Sequence, residues 1–324
     1  MICRYAVVLS LLFVAPFTHL AQAEQPWPSE PIKLVVAYPP GGSTDTAARL
    51  LAQQLSKQLN QQVVVDNRGG AGGTIGAASV ARAKPDGYTI ILAASPEVSI
   101  APVVMDKMNY NPKTDLQPIT MVGKVPFLLV VNQALPVKNL QELIEYGKKD
   151  GSKLNYSSFG ANTSNHLIGE QFKILTGIKA THVPYKGSGP SITDLIGGQV
   201  QYTFDTVTAT LGHVETGRLR AIAVATPERL PNAPSIPTMS EAGLPGFLGG
   251  TWFGLLAPSG TPKAIIERLN AETRSALASE EIQTRFAELN ILPVGDSPDE
   301  FGAFIGAELD KWKRLTSQLD LTKQ

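Results

Sequence analysis

The sequence is nearly free of cysteine: among 324 residues the only one is Cys3. It lies beside Arg4, ahead of an apolar run over residues 6–17, and Ala21-Gln22-Ala23 then fits a leader-peptidase site. The pattern predicts a signal peptide over residues 1–23, cleaved after Ala23. The exported chain would contain no thiol and no disulfide, so its core would have to stabilise it. We therefore expect a periplasmic protein.

Net charge and histidine are scarce too. The chain has 28 basic and 28 acidic residues, its formal net charge is zero, and neither end carries a basic cluster. This disfavours nucleic-acid binding through bulk charge. Only His166, His182 and His213 follow the predicted signal peptide, at a spacing too long and irregular for a metal site. We predict no metal and no cofactor.

The motifs of hydrolases and nucleotide-binding proteins are missing. The segment Gly41-Gly42-Ser43-Thr44-Asp45 approaches the Gly-x-Ser-x-Gly elbow, but Asp45 stands where the last glycine is needed. Ile75 likewise stands where a dinucleotide-binding motif starting at Gly70 needs its third glycine, and no Walker motif occurs. We predict no catalytic residues. A secreted α/β hydrolase that uses Ser43 remains the rival hypothesis, which turnover of ester substrates would reveal.

What the chain does contain is an alternation of short β-rich runs and helical patterns. The run 32–37 enters a Gly-Gly turn, which a helix with regularly spaced leucines follows. Further on, the patterns predict separate strands over 116–122 and 127–131, a helix over 191–196 and a strand over 200–204. Strands that alternate with helices indicate an α/β protein with a mostly parallel sheet.

About ten strands are predicted, a number that favours two domains over one large sheet. Breaks in the pattern place domain 1 at residues 24–125 and 248–324, and domain 2 at residues 126–247. The chain would cross between the domains twice, with a ligand cleft between them.

Three strand-to-helix loops carry small hydroxyl, amide and glycine residues. Such loops gather at the carboxyl ends of strands in open α/β sheets, where ligands bind. The first loop would aim backbone N–H groups and the positive end of a helix dipole at one place, which suits a carboxylate or a phosphate. A plain turn with a Ser or Thr cap explains it equally well. The predicted ligand-binding residues are Tyr38, Gly41, Gly42, Ser43, Thr44 and Asp45 in the first loop, Ser158, Phe159, Asn162, Thr163 and Ser164 in the second, and Asp205 and Thr206 in the third.

Three of these side chains have competing interpretations. Asp45 lies in a first helical turn with Arg49 four residues later, which favours a structural role over a place at the pocket rim. Asp205 would either cap the next helix or reach the cleft. Phe159 is an apolar residue in a polar loop, where it has little structural reason to be.

Several segments together resemble the periplasmic solute-binding proteins of tripartite tricarboxylate transporters, the Bug family. The matching segments are residues 38–49, 67–73, 165–167, 182–187, 194–200, 217–221 and 237–243, and they span nearly the whole mature chain in order. The resemblance implies a periplasmic-binding-protein type II fold whose two domains close on the ligand. It also implies a small mono- or dicarboxylate ligand, aromatic ones included, held by backbone N–H groups and ordered waters and not by an arginine.

The resemblance implies the two membrane components of such a transporter as partners, and we expect a monomer. Phe159 occupies a loop position that looks small in the family pattern, which gives the hypothesis that it lines the cleft and favours an apolar or aromatic ligand body. A receptor that passes its ligand signal to a membrane kinase would have the same sequence features. Neighbouring genes for large membrane subunits would separate the two roles.

Overall fold

The computed structural model describes residues 27–149 and 154–318. The predicted signal peptide lies outside these residues. In the part of the chain that is described, no helix has the length and apolar character needed to cross a membrane.

Strands and helices alternate along the described chain. The strands are β1 (Ile32–Val36), β2 (Val63–Asn67), β3 (Thr89–Ala94), β4 (Leu116–Asn132), β5 (Leu154–Ser158), β6 (Ala180–Pro184), β7 (Tyr202–Thr206), β8 (Leu219–Val224), β9 (Gly250–Pro258) and β10 (Leu292–Pro293). The α-helices are α1 (Ser43–Leu59), α2 (Thr74–Ala81), α3 (Ala101–Val104), α4 (Pro112–Asp115), α5 (Leu140–Lys148), α6 (Ser164–Thr176), α7 (Ser188–Ile196), α8 (Val207–Glu215), α9 (Lys263–Ala278), α10 (Glu280–Glu288) and α11 (Pro298–Gln318). A 3₁₀ turn covers Ala71–Gly73, and a π-helical segment covers Pro96–Ile100.

The long strand β4 joins two parts of the sheet, whose strand order is β2-β1-β3-β9-β4-β7-β5-β6. As far as Pro126, β4 pairs with β9, and from Phe127 onward it pairs with β7 and β8. We call β1, β2, β3, β9, β10 and the first part of β4 the first lobe, and the rest of β4 with β5–β8 the second lobe. The sequence predicts two separate strands here, which is wrong, because Val125 and Pro126 stay in register with Thr251 and Gly250.

The sheet is mixed, so the α/β class is confirmed but the predicted mostly parallel pairing is wrong. Within the lobes, β1 runs parallel to β2 and β3, and β5 runs parallel to β6 and β7. Strand β4 crosses between the lobes and pairs antiparallel with β9, β7 and β8, and β9 also pairs antiparallel with β3. Hydrophobic periodicity does not reveal this direction, because a strand buried on both faces reads the same either way.

Both faces of the first-lobe sheet are covered by helices. Leu34 belongs to the core beneath α1 and α9, and its neighbour Val35 belongs to the core beneath α2 and α11. Successive strand residues point to opposite faces, which is why neighbouring residues of β1 enter different cores. This covering holds the carboxyl ends of β1 and β3 in place beside the second lobe.

Three predicted element ends differ from the structure. Helix α1 has Gly42 as its N-cap with no side-chain cap, so the predicted Ser or Thr cap is wrong. Helix α7 begins at Ser188, earlier than predicted, and β7 extends to Thr206, so α8 begins only at Val207. Glycines and hydroxyl residues fit both loops and first helical turns, so local composition does not fix these ends.

Candidate functional site

A pocket lies between the lobes, where the segments that follow four strands meet. Its empty volume, including the mouth, is about 440 Å³. The first lobe lines it with Tyr38, Pro39, Gly42, Ser43, Thr44, Ala94, Pro96, Thr251 and Phe253, and the second lobe with Phe159, Gly187, Ser188 and Gly189. These lining residues of the described chain include no lysine or arginine, so no cationic side chain of the lining would bind an anion directly.

The start of α1 provides a helix dipole. Gly42 is extended, with φ −85° and ψ 171°, and the first helical bond runs from the Thr46 N–H to the Gly42 carbonyl. Among the described residues, the N–H groups of Ser43 and Thr44 have no acceptor. Free N–H groups at a helix start carry partial positive charge, so this end of the pocket suits an anion.

Asp45 is turned away from the pocket and organises the first loop. Its carboxylate accepts hydrogen bonds from the Gly41 N–H (3.1 Å), Arg49 Nε (3.0 Å) and Asn67 Nδ2 (2.9 Å). Burial raises the pKa of Asp45, but these hydrogen bonds outweigh it and hold the pKa below its ordinary value. Neither Asp45 nor Gly41 lines the pocket, so both act on it through the shape of the loop.

In the second predicted loop, only Phe159 reaches this pocket. Its ring packs edge-on against Phe127, with 6.1 Å between ring centroids. The Ser158 hydroxyl lies 2.8 Å from the Gly160 carbonyl and 2.6 Å from His182 Nε2, so it is engaged within the second lobe. Asn162 has a positive φ of 62°, and its N–H donates to His166 Nδ1.

The start of α6 contains unused hydrogen-bonding capacity. Thr163 Oγ1 donates to the Gly160 carbonyl at 2.7 Å, within the loop. In contrast, Ser164 Oγ and Asn165 Nδ2 are buried without a hydrogen-bond partner in the described chain. Unpaired buried polar atoms are costly, so such atoms are usually satisfied by a water or a ligand.

The third predicted pair, Asp205 and Thr206, is buried behind the pocket wall. Asp205 Oδ2 accepts a hydrogen bond from Ser188 Oγ at 2.7 Å, and Oδ1 accepts one from the Thr206 N–H at 2.6 Å. Burial raises the pKa of Asp205 to about 7, against the opposing effect of the hydrogen bonds from Ser188 and Thr206. Asp205 therefore acts on the pocket through Ser188, which lines it.

A similar buried acid, Glu97, stands behind the first-lobe wall. It accepts hydrogen bonds from the Tyr38 hydroxyl (2.8 Å) and the Ala94 N–H (2.7 Å). Burial raises the pKa of Glu97 to about 7. Gly73 packs against it with φ +96°, and a Cβ there would lie 2.8 Å from Glu97 Oε2.

Sequence reasoning missed part of the lining. Ser188 is absent from the predicted site because the sequence pattern starts this helix at residue 191, three residues after its start in the structure. Ala94 and Pro96 carried a usable signal, since small residues and a proline follow β3. Thr251 and Phe253 carried none, because inside β9 they resemble ordinary core residues.

The lobes touch on two sides of the pocket. A Cβ on Gly72 would lie 3.4 Å from the Ala161 carbonyl oxygen, and one on Gly187 would lie 3.1 Å from Pro39 Cδ. Both glycines have positive φ, 63° and 128°. Across the cleft, therefore, each of these glycines lies against a residue of the other lobe.

Comparison with known proteins identifies the family. The family model described as tripartite tricarboxylate transporter family receptor, TctC, matches residues 47–321. The chain belongs to this family. TctC proteins are periplasmic binding receptors, so the family inferred from the sequence motifs is confirmed.

Relatives of this TctC receptor match it over most of its length. Protein BugT of Bordetella pertussis is 39% identical over 287 residues, 88% of this chain and 88% of BugT. The solved structure of R. palustris Rpa4515 with adipate has a TM-score of 0.88 and 37% identity, covering 90% of this chain and 98% of that chain. The structure of MatC from Rhodopseudomonas palustris with bound malate has a TM-score of 0.84 and 34% identity, and the match covers 89% of this chain and 99% of MatC. The predicted solute-binding-protein fold is thereby confirmed.

Proposed function

We propose that this protein is a periplasmic receptor that captures a small mono- or dicarboxylate for a tripartite tricarboxylate-type transporter. The observation that carries the proposal is the start of α1, whose free N–H groups at Ser43 and Thr44 face a pocket with no cationic side chain. Membership of the TctC family supports the role as receptor. The adipate and malate bound by the two R. palustris proteins support the class of ligand.

Backbone donors suit a carboxylate in this setting. A carboxylate accepts several hydrogen bonds, and charge-assisted bonds are about twice as strong as neutral ones. The N–H groups are held by the helix, so little conformational entropy is lost when the ligand binds. We propose that Gly42, Ser43 and Thr44 hold one carboxylate, and that Tyr38, Gly41 and Asp45 shape this end of the site.

The rest of the pocket favours an apolar ligand body. Phe159, Phe253, Pro39 and Pro96 present carbon surface between the lobes. We propose Phe159 as the contact that favours an apolar or aromatic body. Ser158, Asn162, Thr163, Ser164, Asp205 and Thr206 then belong to the supporting structure of the second-lobe wall.

Several further features belong to the same proposal. A signal peptide cleaved after Ala23 would export the chain, and no reaction would be catalysed. The first lobe would correspond to a domain formed by residues 24–125 and 248–324, and the second lobe to a domain of residues 126–247. The mature protein would act as a monomer that delivers its ligand to the two membrane components.

A carboxylate screen on the mature protein tests this function. A ligand at 100 times its Kd stabilises a protein by about 2.7 kcal/mol, so thermal shift should reveal at least one carboxylate, which calorimetry then quantifies. Uncharged amides of the same acids are the matched controls and should not bind. The proposal is wrong if no carboxylate binds, or if the protein turns over ester substrates.

A further inference from the structure

Ser188 presents an oxygen to the pocket whose hydrogen is already used. It is the first residue of α7 and lines the pocket, and its Oγ donates to Asp205 Oδ2 at 2.7 Å. A serine hydroxyl has one hydrogen and two lone pairs. With the hydrogen directed at Asp205, the oxygen can offer only lone pairs to a ligand.

Asp205 is well suited to hold that hydrogen. It is completely buried, and its other oxygen, Oδ1, accepts from the Thr206 N–H and from Thr206 Oγ1 at 3.2 Å. No lysine, arginine or histidine of the described residues lies within hydrogen-bond or ion-pair distance of it, and neither does a second carboxylate. Both oxygens thus accept hydrogen bonds, as an ionised carboxylate does.

The opposite wall repeats the arrangement. The Tyr38 side chain lines the pocket from the first lobe, and its buried hydroxyl donates to the buried Glu97. The Ala94 N–H donates to the other oxygen of Glu97. On each side of the pocket, therefore, a buried carboxylate takes the hydrogen of a hydroxyl that belongs to a lining residue.

We propose that Ser188 recognises a hydrogen-bond donor on the ligand, so that the ligand is a carboxylate bearing a hydroxyl or an ammonium group. A carboxylate placed against Ser188 Oγ would face a lone pair and, behind it, the negative charge that Asp205 carries above its pKa of about 7. A hydroxyl or an ammonium group would donate to that lone pair. The inference rests on the proposed function and deepens it, since the carboxylate lies at α1 and the donor at α7. Asp205 is then a positioning residue that acts through Ser188.

Ligands that differ only in the donor test this inference. At pH 8.5, calorimetry compares succinate with malate and aspartate, adipate with 2-hydroxyadipate and 2-aminoadipate, and phenylacetate with mandelate. We expect at least one substituted acid to bind ten times more tightly than its parent. The hydroxy and amino members of the first two sets show which donor is preferred.

Two variants separate positioning from structure. Ser188→Ala should bind the substituted acid and its unsubstituted parent with nearly equal affinity. Asp205→Asn keeps an acceptor for the Thr206 N–H and places an amide donor against Ser188 Oγ, which turns the serine hydrogen toward the pocket. Asp205→Asn should therefore abolish or reverse the preference while the melting temperature shows a folded protein.

Each outcome has a separate meaning. If carboxylates bind but the parents bind as tightly as the substituted acids, the inference is wrong and the proposed function stands. If Asp205→Asn retains the full preference, Asp205 merely supports the fold and the inference is also wrong. If no carboxylate of any kind binds, the proposed function fails and the inference fails with it.

Discussion

Two helix starts face the same pocket, and the acidic residues that contact them, Asp45 within α1 and Asp205 at the end of β7, behave in opposite ways. At α1, Asp45 is paired with Arg49 and two N–H donors, which lowers its pKa and leaves the helix N–H groups free. At α7, Asp205 has only hydroxyl and N–H donors, and burial raises its pKa to about 7. Similar helix dipoles therefore present different chemistry, because the partner of the nearby carboxylate decides what the ligand meets.

The largest expected effect is at the α1 start, where one donor can be removed without disturbing the helix. Proline is favoured at a first helical position, and the extended Gly42 suits a residue before proline. Ser43→Pro deletes the N–H and should weaken carboxylate binding about a hundredfold, since hydrogen bonds to charged groups contribute roughly 1.5–3 kcal/mol. Calorimetry measures the loss. Ser43→Ala, which keeps the N–H, is the control, and an equal loss in both variants would refute the role of the backbone.

A second prediction compares the two acids through the pH dependence of stability. Because the pKa of Asp205 is raised in the folded state, the folded protein binds more protons than the unfolded chain between about pH 4 and pH 7. The contribution of Asp205 to the free energy of unfolding is therefore highest below this window and is lost as the pH rises through about 7. Between pH 5.5 and 8.5, the free energy of unfolding should fall by about 2 kcal/mol less in Asp205→Asn than in the unmodified protein. Urea unfolding at the two pH values measures the difference.

The control for this prediction is Asp45→Asn. The lowered pKa of Asp45 contributes stability that is present above its unfolded pKa and lost only as the pH falls through the folded value. Asp45→Asn should thus destabilise the protein equally at pH 5.5 and 8.5. Glu97 is unchanged in both variants and keeps its own contribution to the pH dependence of the free energy of unfolding. If the free energy of unfolding of Asp205→Asn depends on pH as it does in the unmodified protein, the proposed difference between Asp205 and Asp45 is wrong.

The smallest expected effect concerns the apolar part of the second-lobe wall. Phe159→Ala should lower the affinity for a bound aromatic or long-chain carboxylate about fivefold, because roughly 1 kcal/mol of apolar contact is lost. Calorimetry on the best ligand of the screen measures it. Leu248→Ala removes an exposed apolar side chain outside the pocket and is the matched control. An unchanged affinity in Phe159→Ala would remove the hypothesis that this ring selects the ligand body.

Sequence reasoning succeeded where the signal is local. The strand, the Gly-Gly turn and the helix around Ser43 follow from neighbouring residues. It failed for β4, where residues 124–126 suggested a break. There the partner strand β9 keeps the chain extended, which no local pattern encodes.

By itself, then, the sequence determined the α/β class, the family and the helix start that would meet an anion. The tertiary structure decided which side chains stand behind the pocket wall. Ser188 and Asp205 are 17 residues apart and belong to different strand–helix units. Only the pairing of β5 with both β6 and β7 brings those units together, and only burial turns an ordinary aspartate into an acid with a raised pKa. Hydrophobic patterning specifies which faces are buried, but it does not specify which polar groups are buried together.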